Sequence, residues 1–349
     1  MKNIIIVTGS CGLVGSEAVK FFLKKNFFVV GIDNNYRKKL FGKDGDTSWL
    51  KKRLILNKDY LHYQVDIRNS KKIYEIFKKY SKNIKAIIHS AAQPSHDWAK
   101  SNLMTDFSIN ALGTVNILNA CLNYSSKATF IQLSTNKVYG DNPNKIKLKE
   151  GKLRFIPRDQ KKYKNGFNES LSTDNCTHSF FGVSKTYADY LAQEFGKNYN
   201  LNIGIFRAGC ITGPNHSSAK LHGFLSYLVK CCVVNKSYNI IGYKGKQVRD
   251  NIHSNDLLNC LWEFIKKPKK GEVYNIGGGR FSNCSIIEAI NFIEKEKKIN
   301  VKVKFLNKHR IGDHIWYITN LNKFKKDFPN WKQFYNNKKI LLELLENID

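Results

Sequence analysis

The sequence predicts an α/β protein built on a doubly wound parallel sheet, with a smaller mixed α/β lobe toward its C-terminal end. Three observations lead to this fold class: short apolar runs alternate with helical patterns from residue 3 to residue 207, a glycine-rich turn follows the first run, and the alternation loosens after about residue 208. Such alternation is typical of right-handed βαβ units. We therefore expect one domain over residues 1–207, to which later segments return, and a second lobe over residues 208–349.

The predicted strands are short and apolar, and most are rich in β-branched residues, a pattern typical of strands buried on both faces. They cover residues 3–8, 27–33, 60–67, 84–92, 128–135 and 201–207. Helical patterns lie at 16–25, 70–80, 102–123 and 181–199. In the second lobe we expect helices at 223–234, 283–298 and 334–347 and strands at 238–242 and 272–278, whereas the polar segment 140–178 predicts a long loop over a cleft.

The composition excludes several classes of protein. The 349 residues are 42% hydrophobic, which is ample for a large core. No apolar stretch reaches the roughly 18 residues that a membrane helix needs, and the chain enters its first strand without the pattern of a signal peptide. The eight cysteines include no C-x-x-C pair, so we predict a cytoplasmic protein with neither a disulfide framework nor a metal site.

The formal charge of +30 has two interpretations. A basic surface can neutralise nucleic-acid phosphates, or lysines can simply be abundant on the surface of a protein with another role. The lysines are spread along the whole chain without a long basic arm, so we favour the second interpretation. We expect no specific nucleic-acid partner and no membrane partner, and we expect the excess charge to attract an anionic substrate.

A dinucleotide site is predicted at the first strand–helix turn. Gly9, Gly12 and Gly15 form G-x-x-G-x-x-G, where glycines permit a tight turn, close approach of a pyrophosphate and helix–strand packing, as in a Rossmann domain. Asp33 ends the next strand, where its carboxylate can accept hydrogen bonds from ribose hydroxyls. It would repel a 2′-phosphate, so NAD is favoured over NADP, although Arg37 lies nearby.

The ends of two further strands complete the predicted cofactor site. Asp66 and Ile67 lie at the end of the third strand, where an adenine ring would lie. The fourth strand ends in "HSAAQ", at the edge where open α/β sheets bind ligands, and its small residues would let the backbone approach the cofactor. This segment contributes Ser90, Ala91, Ala92 and Gln93.

With these residues in place, the chain resembles the extended short-chain dehydrogenase/reductase family of nucleotide-sugar enzymes. The resemblance is carried by "TGSCGLVGS", "IDNN", "VDIRN", "HSAAQ", "INALGTVNIL", "LSTNKVYGD", "SKTYADYLAQEF", "GKQVRDNIHSNDL" and "YNIGGG". Two segments, "STNKVYGD" and "GKQVRDNIHSNDL", are most similar to the CDP-paratose (CDP-tyvelose) 2-epimerase subfamily. The resemblance implies an enzyme with NAD as cofactor, a nucleotide-diphosphate sugar as substrate, a homo-oligomer (dimer or tetramer), and epimerisation through a transient keto sugar. A dehydratase or dehydrogenase of the same family is the alternative.

The resemblance also assigns roles to individual residues. Thr135 orients the sugar oxygen, Lys185 binds the nicotinamide ribose, and Arg249 reaches the substrate pyrophosphate. Asn136 and Lys137 are further substrate contacts. Further cofactor contacts fall on Cys11, Leu13, Val14, Asn34 and Asn110.

The family's catalytic tyrosine is replaced by Phe181 in "HSFFGVSK". Phenylalanine keeps the ring but has no hydroxyl to exchange a proton. The sequence leaves three accounts open: an engineered Tyr→Phe change, a native enzyme in which another side chain carries the proton, or a sugar-nucleotide-binding pseudoenzyme. The unusual neighbours "QPSHDW" favour the native enzyme.

His96 is the predicted substitute acid/base, assisted by Asp97, because an imidazole titrates near neutrality and this loop follows the fourth strand. Weaker rivals are His178, His216 and His222. We expect structural roles for Asp250 and Asp256.

Overall fold

The computed structural model describes residues 2–214, 223–307 and 312–347, which fall into two compact units. Unit 1 comprises Met1–Val138, Phe180–Arg207 and Leu258–Tyr274, and unit 2 comprises Tyr139–Ser179, Ala208–Leu257 and Asn275–Asp349. Residues 139–179 thus cluster with unit 2, although the sequence analysis grouped them with residues 1–207. Their partners lie far along the chain, as the 3.0 Å hydrogen bond from Phe155 N–H to Lys246 O illustrates.

The central feature of the fold is a seven-stranded sheet. Its strands are β1 Ile4–Thr8, β2 Phe28–Ile32, β3 Tyr60–Tyr63, β4 Ile84–His89, β5 Thr129–Thr135, β8 Ile203–Ala208 and β12 Lys270–Ile276. Their order in the sheet is β12-β8-β5-β4-β1-β2-β3. The pairings β3–β2, β2–β1, β1–β4 and β4–β5 are parallel. The chain order reverses beside β1, as in a doubly wound sheet, which confirms the predicted fold class.

Helices occur in both units, and those of unit 1 alternate along the chain with the strands of the large sheet. They are α1 Leu13–Lys24, α2 Tyr36–Phe41, α3 Ser48–Leu54, α4 Ser70–Tyr80, α5 His96–Ser101, α6 Leu103–Phe107, α7 Gly113–Tyr124, α8 Phe180–Asn198, α9 Phe224–Val233, α10 Ser254–Lys266, α11 Ile286–Lys297, α12 Asn322–Asp327 and α13 Asn337–Asn347. All five residues of β1 are buried, as expected for a strand covered on both faces. Across the described ranges, no helix is both long and apolar enough to cross a membrane.

The predicted helix over 102–123 is interrupted by a π-helical turn at Ser108–Leu112, between α6 and α7. The turn contains Asn110, whose carbonyl oxygen accepts the Thr114 hydroxyl at 2.7 Å and whose side chain is buried. Single π-turns inside α-helices occur frequently at functional sites. Apolar periodicity alone cannot reveal such an interruption, because buried polar contacts determine where the π-helical turn forms.

Unit 2 contains smaller sheets with mixed pairing. Strand β11 Val248–His253 pairs in parallel with β9 Cys210–Thr212 and antiparallel with β13 Asn283–Ser285. Strand β10 Tyr238–Ile241 pairs in parallel with β14 Val303–Leu306, and β6 Leu148–Glu150 forms an antiparallel pair with β7 Phe155–Pro157. The last pair lies in the segment expected to be a long loop. Helices α9, α11 and α13 contribute buried side chains to one apolar core.

Candidate active site

The glycine turn after β1 has the geometry of an anion-binding cradle. Gly9 has φ +68°, and a Cβ on Gly15 would lie 2.0 Å from the Gly9 oxygen, so both positions exclude side chains. A Cβ on Gly12 would meet only that same oxygen, at 3.4 Å, so its outer side is open. Leu13 and Val14 begin α1, which has neither a side-chain cap nor an acidic residue in its first turn. The N–H groups at this helix start fit a pyrophosphate.

Asp33 lies directly against this turn. Its Oδ2 accepts the Cys11 N–H at 3.0 Å and its Oδ1 accepts the Asn35 N–H at 2.7 Å. A carboxylate has about four acceptor positions, so two remain for ribose hydroxyls. The Cys11 thiol is buried, and burial with the Asp33 charge raises its pKa to about 12. Cys11 therefore contributes a neutral side chain to the cradle, and its backbone N–H holds the Asp33 carboxylate.

The segment predicted to lie beside the adenine is held by an ion pair between Asp66 and Arg68. Asp66 receives two guanidinium hydrogen bonds from Arg68, at 2.9 and 2.7 Å, and one from the Asn34 amide at 2.9 Å. Ile67 is buried and packs on Gly113, where a Cβ would lie 2.5 Å from its Cδ1. Ile67 therefore has a packing role in addition to its predicted place beside the adenine.

Strand β4 ends in a chain of hydrogen bonds that defines the tautomer of a buried histidine. His89 Nδ1 lies 2.7 Å from Thr8 Oγ1, and His89 Nε2 lies 3.0 Å from Thr114 Oγ1. The Thr114 hydroxyl donates to Asn110 O, so Thr114 must accept from His89 Nε2–H. Burial, followed by the charge of Lys185, lowers the pKa of His89 to about 3. His89 is therefore neutral near pH 7 and holds the strand end.

The turn after His89 is fixed by Thr8, which also contacts His89. The Ser90 hydroxyl donates to Thr8 O at 2.6 Å, and Ala91 N–H donates to Thr8 Oγ1 at 3.2 Å. A Cβ on Gly9 would lie 2.8 Å from the Ala91 Cα, so the two loops approach closely. The small residues Ala91 and Ala92 thus follow β4 beside the glycine turn, as the cofactor prediction requires.

Lys185 is buried on α8, four residues after Phe181. Its Nζ donates to Leu133 O at 2.7 Å, so it lies against the last part of β5. Burial lowers the pKa of Lys185 to about 8, against the opposing effects of the Asp189 and Asp106 charges. Asp189 is already paired with Arg207, at 2.8 and 3.0 Å. An ammonium with so low a pKa can change its charge near physiological pH.

Phe181 contacts the residue predicted to replace the missing tyrosine. The ring centroids of His96 and Phe181 are 4.8 Å apart, with an interplanar angle of 60°. Phe181 is 7% exposed, and His96 is half-buried at the first position of α5. Ser95 caps that helix by accepting Trp98 N–H at 3.3 Å. The Asp97 side chain, which was predicted to assist His96, is exposed.

The predicted substrate residues divide between the units. In unit 1, Thr135 ends β5, and its Oγ1 accepts Lys137 N–H at 3.2 Å. Asn136 and Lys137 begin a 3₁₀ turn, in which Asn136 is buried. In unit 2, the side chain of Arg249 is 11% exposed, and it donates to Asp313 Oδ1 at 2.6 Å.

The rival histidines and the two expected structural carboxylates lie in unit 2 or outside the described residues. His178 lies 3.8 Å from Cys176 Sγ, whereas His216 and His222 fall outside the described residues. Asp250 is buried and accepts the N–H groups of Gly279 at 2.9 Å and Thr319 at 3.1 Å. Asp256 accepts the N–H groups of Phe334 and Tyr335. Both carboxylates tie distant segments together, which agrees with a structural role.

Sequence reasoning missed Asp106, a buried carboxylate on α6. It accepts hydrogen bonds from Gln93 Nε2 at 2.6 Å and from Asn110 Nδ2 at 3.1 Å. The one signal in the sequence is its spacing of four residues from Asn110, which places both side chains on one helix face. An aspartate within a helical pattern is more commonly exposed, so the spacing alone does not reveal burial.

Comparisons with known proteins agree with these features. Residues 5–277 match the NAD dependent epimerase/dehydratase family. The chain is 30% identical to the CDP-paratose 2-epimerase of Salmonella typhi, over 87% of this chain and 86% of that protein. It is 26% identical to a UDP-glucuronate 4-epimerase of Thermodesulfobacterium geofontis (strain OPF15), over 94% and 90% of the two chains.

Among solved structures, UDP-glucuronic acid 4-epimerase from Bacillus cereus, in complex with UDP-glucuronic acid and NAD, aligns with a TM-score of 0.80 at 25% identity. The alignment covers 99% of this chain and 98% of that chain. The predicted fold class and family are confirmed, as is the predicted class of NAD-dependent nucleotide-sugar enzyme. The chain belongs to the NAD dependent epimerase/dehydratase family.

Proposed function

We propose that the protein epimerises a nucleotide-diphosphate sugar at carbon 2, through a transient 2-keto sugar, in the manner of a CDP-paratose 2-epimerase. The observation that carries this proposal is the 30% identity to the Salmonella typhi enzyme over 87% of the chain. The glycine turn, Asp33 and the buried Lys185 support it, because they are suited to a dinucleotide and its ribose groups.

The residues of unit 1 are suited to hold NAD. Leu13 and Val14 would present backbone N–H groups to the pyrophosphate beside Gly12, whose own N–H donates to Gly9 O at 3.0 Å, and Asp33 would accept hydrogen bonds from a ribose. When bound, NAD supplies a nicotinamide that takes a hydride from the sugar carbon and returns it. Lys185 would donate a hydrogen bond to the other ribose, and Thr135 would hold the sugar oxygen.

The proton of the sugar hydroxyl requires a group other than Phe181. We propose His96, which contacts the Phe181 ring at 4.8 Å and can accept a proton near neutral pH. Asp97, the next residue, is its proposed assistant, and the Asp97 side chain is exposed. Phe181 then contributes only packing, through the edge-to-face contact between its ring and the imidazole.

The substrate diphosphate is proposed to bind Arg249. A guanidinium suits bidentate phosphate contact, and the Asp313 carboxylate 2.6 Å away orients it. Arg249→Lys keeps the charge but loses the planar fork. We expect it to raise the KM for the nucleotide sugar about tenfold or more, with a smaller effect on kcat.

A panel of sugars tests the reaction. The protein and its Phe181→Tyr variant are incubated with NAD and CDP-, UDP- and GDP-sugars, and epimers, keto sugars and reduced-nicotinamide absorbance are measured. The proposal predicts a 2-epimer with the unmodified protein. Accumulated keto or dehydrated product would favour the dehydratase or dehydrogenase alternative. Activity only in Phe181→Tyr would identify a disabled tyrosine enzyme.

A pseudoenzyme is the second candidate, because Phe181 lacks the exchangeable proton of the family's tyrosine. It predicts that nucleotide sugars bind and raise the thermal midpoint while neither version turns them over. Binding and turnover are measured on the same preparations. An epimerase binds nucleotide sugars and turns them over, whereas a pseudoenzyme only binds them. For location, we propose the cytoplasm, which fractionation of the source cells tests.

We also propose that the protein forms a homodimer through α8. Phe180, Val183, Tyr187 and Tyr190 are 45–54% exposed and follow a 3-4-3 spacing along one helix face. On α6, Leu103, Met104 and Phe107 are also exposed, and the Phe107 and Tyr187 rings lie 6.3 Å apart. An apolar face of this extent is typical of an interface between protein chains.

A charge on this face tests the assembly. Val183→Glu should convert the dimer to a monomer in analytical ultracentrifugation, whereas Val234→Glu, at an exposed apolar position of unit 2, should not. A parent protein that sediments as a monomer at micromolar concentration would contradict the proposal.

A further inference from the structure

A buried polar cluster lies on the inner side of the α5, α6 and α8 segments of unit 1. We define the Asp106 cluster as Gln93, Asp106, Asn110 and Ser184, all of which are buried. Asp106 Oδ1 accepts from Gln93 Nε2 at 2.6 Å and from Asn110 Nδ2 at 3.1 Å. Asn110 Nδ2 also lies 3.1 Å from Ser184 Oγ. The cluster thus connects the loop after β4, the π-helical turn and α8.

The cluster is hydrogen-bonded to the two segments that contain the proposed catalytic residues His96 and Lys185. Gln93 holds Ser95 through two hydrogen bonds, Ser95 N–H to Gln93 Oε1 and Gln93 Nε2 to Ser95 O. Ser95 is the N-cap of α5, which begins at His96. At the other end, the Ser184 hydroxyl donates to Phe181 O at 3.1 Å, and Ser184 directly precedes Lys185.

Within this cluster, Asp106 Oδ2 is buried and has no hydrogen-bond partner among the described residues. Both neighbouring amides donate to Oδ1, so an asparagine with its oxygen in that place would satisfy them equally. A buried carboxylate is much more costly than a buried amide. An ionised Asp106 would therefore need a nearby positive charge in addition to these hydrogen bonds.

Lys185 supplies that charge. Four groups bear on its charge: Asp106 from α6, Asp189 from α8, His89 from β4 and the Leu133 carbonyl from β5. His89 is neutral near pH 7, and Asp189 is neutralised by Arg207. Asp106 is not paired with a cation among the described residues. Its pKa is raised by burial, against the opposing effects of the Ser184 and Gln93 side chains and of the Lys185 charge.

We propose that Asp106 is a positioning residue of this site: its buried carboxylate stabilises the ammonium form of Lys185 and anchors the turn that begins the His96 helix. This inference rests on the proposed function only for the purpose that Lys185 and His96 serve. The charge coupling between Asp106 and Lys185 is a property of the protein alone and is measured without a sugar.

Asp106→Asn isolates the charge. The asparagine oxygen can keep both amide hydrogen bonds, and its NH₂ occupies the place of the oxygen that has no bond to lose. Lysine side chains are labelled with ¹³C at Cε, and the Lys185 resonance is assigned with Lys185→Arg. We expect the Lys185 pKa, about 8 in the parent, to fall by roughly one unit. Asp59→Asn, which removes a surface carboxylate paired with Lys2, should leave it unchanged.

NAD binding supplies a second readout. At pH 8 the Asp106→Asn variant should bind NAD several-fold more weakly than the parent, because a larger fraction of Lys185 is neutral, and at pH 6 the two should bind alike. A purely structural role would weaken binding equally at both values. An unchanged Lys185 titration in a folded Asp106→Asn protein overturns the proposal.

The reciprocal experiment applies if Asp106→Asn does not fold. Aspartate carboxyl carbons are labelled, and the Asp106 resonance is titrated in the parent and in Lys185→Met. Coupling requires that loss of the ammonium raises the Asp106 pKa by a comparable amount, and identical titrations overturn the proposal. If sugars are not turned over but both titrations shift, the proposed function fails while the coupling stands.

Discussion

The rings of His96 and Phe181 meet edge to face, with centroids 4.8 Å apart. The contact places an imidazole beside the ring at the position where the sequence resemblance predicts the family's tyrosine. The Ser184 hydroxyl donates a hydrogen bond to the backbone oxygen of Phe181. His96 begins a helix that is capped by Ser95. The backbone near both ends of the contact is therefore held by the buried polar residues Ser184 and Ser95.

The glycine turn gives a matched pair of variants. Gly15→Ala would place a Cβ 2.0 Å from the Gly9 oxygen, so it must displace backbone and should lower the thermal midpoint by several degrees. Gly12→Ala meets only one oxygen, at 3.4 Å, and should fold normally. We expect Gly12→Ala to weaken NAD binding at least tenfold, measured by calorimetry, because the methyl group occupies the open cradle. Equal stability of the two variants would contradict this geometry.

Lys185 lowers the stability of the fold. The fall of its pKa from 10.5 to about 8 corresponds to roughly 3 kcal/mol. Lys185→Met loses the hydrogen bond to Leu133 O, so we expect a net gain of about 1–2 kcal/mol at pH 7, measured by denaturant unfolding.

The pH dependence of that gain has a definite sign. Below pH 8, Lys185 is protonated in both the folded and the unfolded state, and its penalty is complete. Between about 8 and 10.5 only the unfolded state keeps the proton, so the penalty declines as pH rises. The stability advantage of Lys185→Met should decline across the same interval, and an advantage that grew with pH would contradict the assignment.

The pH dependence of the Asp250 contribution to stability should have the opposite sign to that of Lys185 and should appear at acid pH. Burial raises its pKa from 3.8 to about 6, against the hydrogen bonds from Thr319 and Gly279. Asp250→Ala leaves those N–H groups without their acceptor and should cost about 2–4 kcal/mol. The folded state binds the Asp250 proton more tightly, so its contribution declines as pH rises from about 4 to 6. The destabilisation by Asp250→Ala should accordingly be larger at pH 4.5 than at pH 7, as thermal unfolding can show.

Much of the fold could be predicted because its signals are local. The apolar runs at 3–8, 84–92 and 128–135 contain strands β1, β4 and β5, and the glycine spacing identified the turn that follows β1. Short helices α2 and α3 were not predicted, since they are brief and polar and are held by contacts such as Asn35 Nδ2 to Asp46 at 2.8 Å.

The site was less predictable because its contacts join distant parts of the chain. Lys185 binds an oxygen on β5 that lies 52 residues earlier, and Arg249 binds Asp313, 64 residues later. Asp106 resembles any surface aspartate until the fold places Gln93 and Asn110 around it. The motifs predict site roles for Lys185 and Arg249, but they carry no information about buried carboxyl groups such as Asp106.

The central claim is that this protein, with Phe181 in place, uses His96 to exchange the sugar proton. The most direct measurement is the kcat for epimerisation of the accepted nucleotide sugar by the parent and by His96→Ala, with NAD and sugar affinities measured on the same samples. We predict a loss of about 10²–10⁴-fold in kcat with affinities within about twofold of the parent. A parent that turns over and a His96→Ala variant with the same kcat would contradict the account.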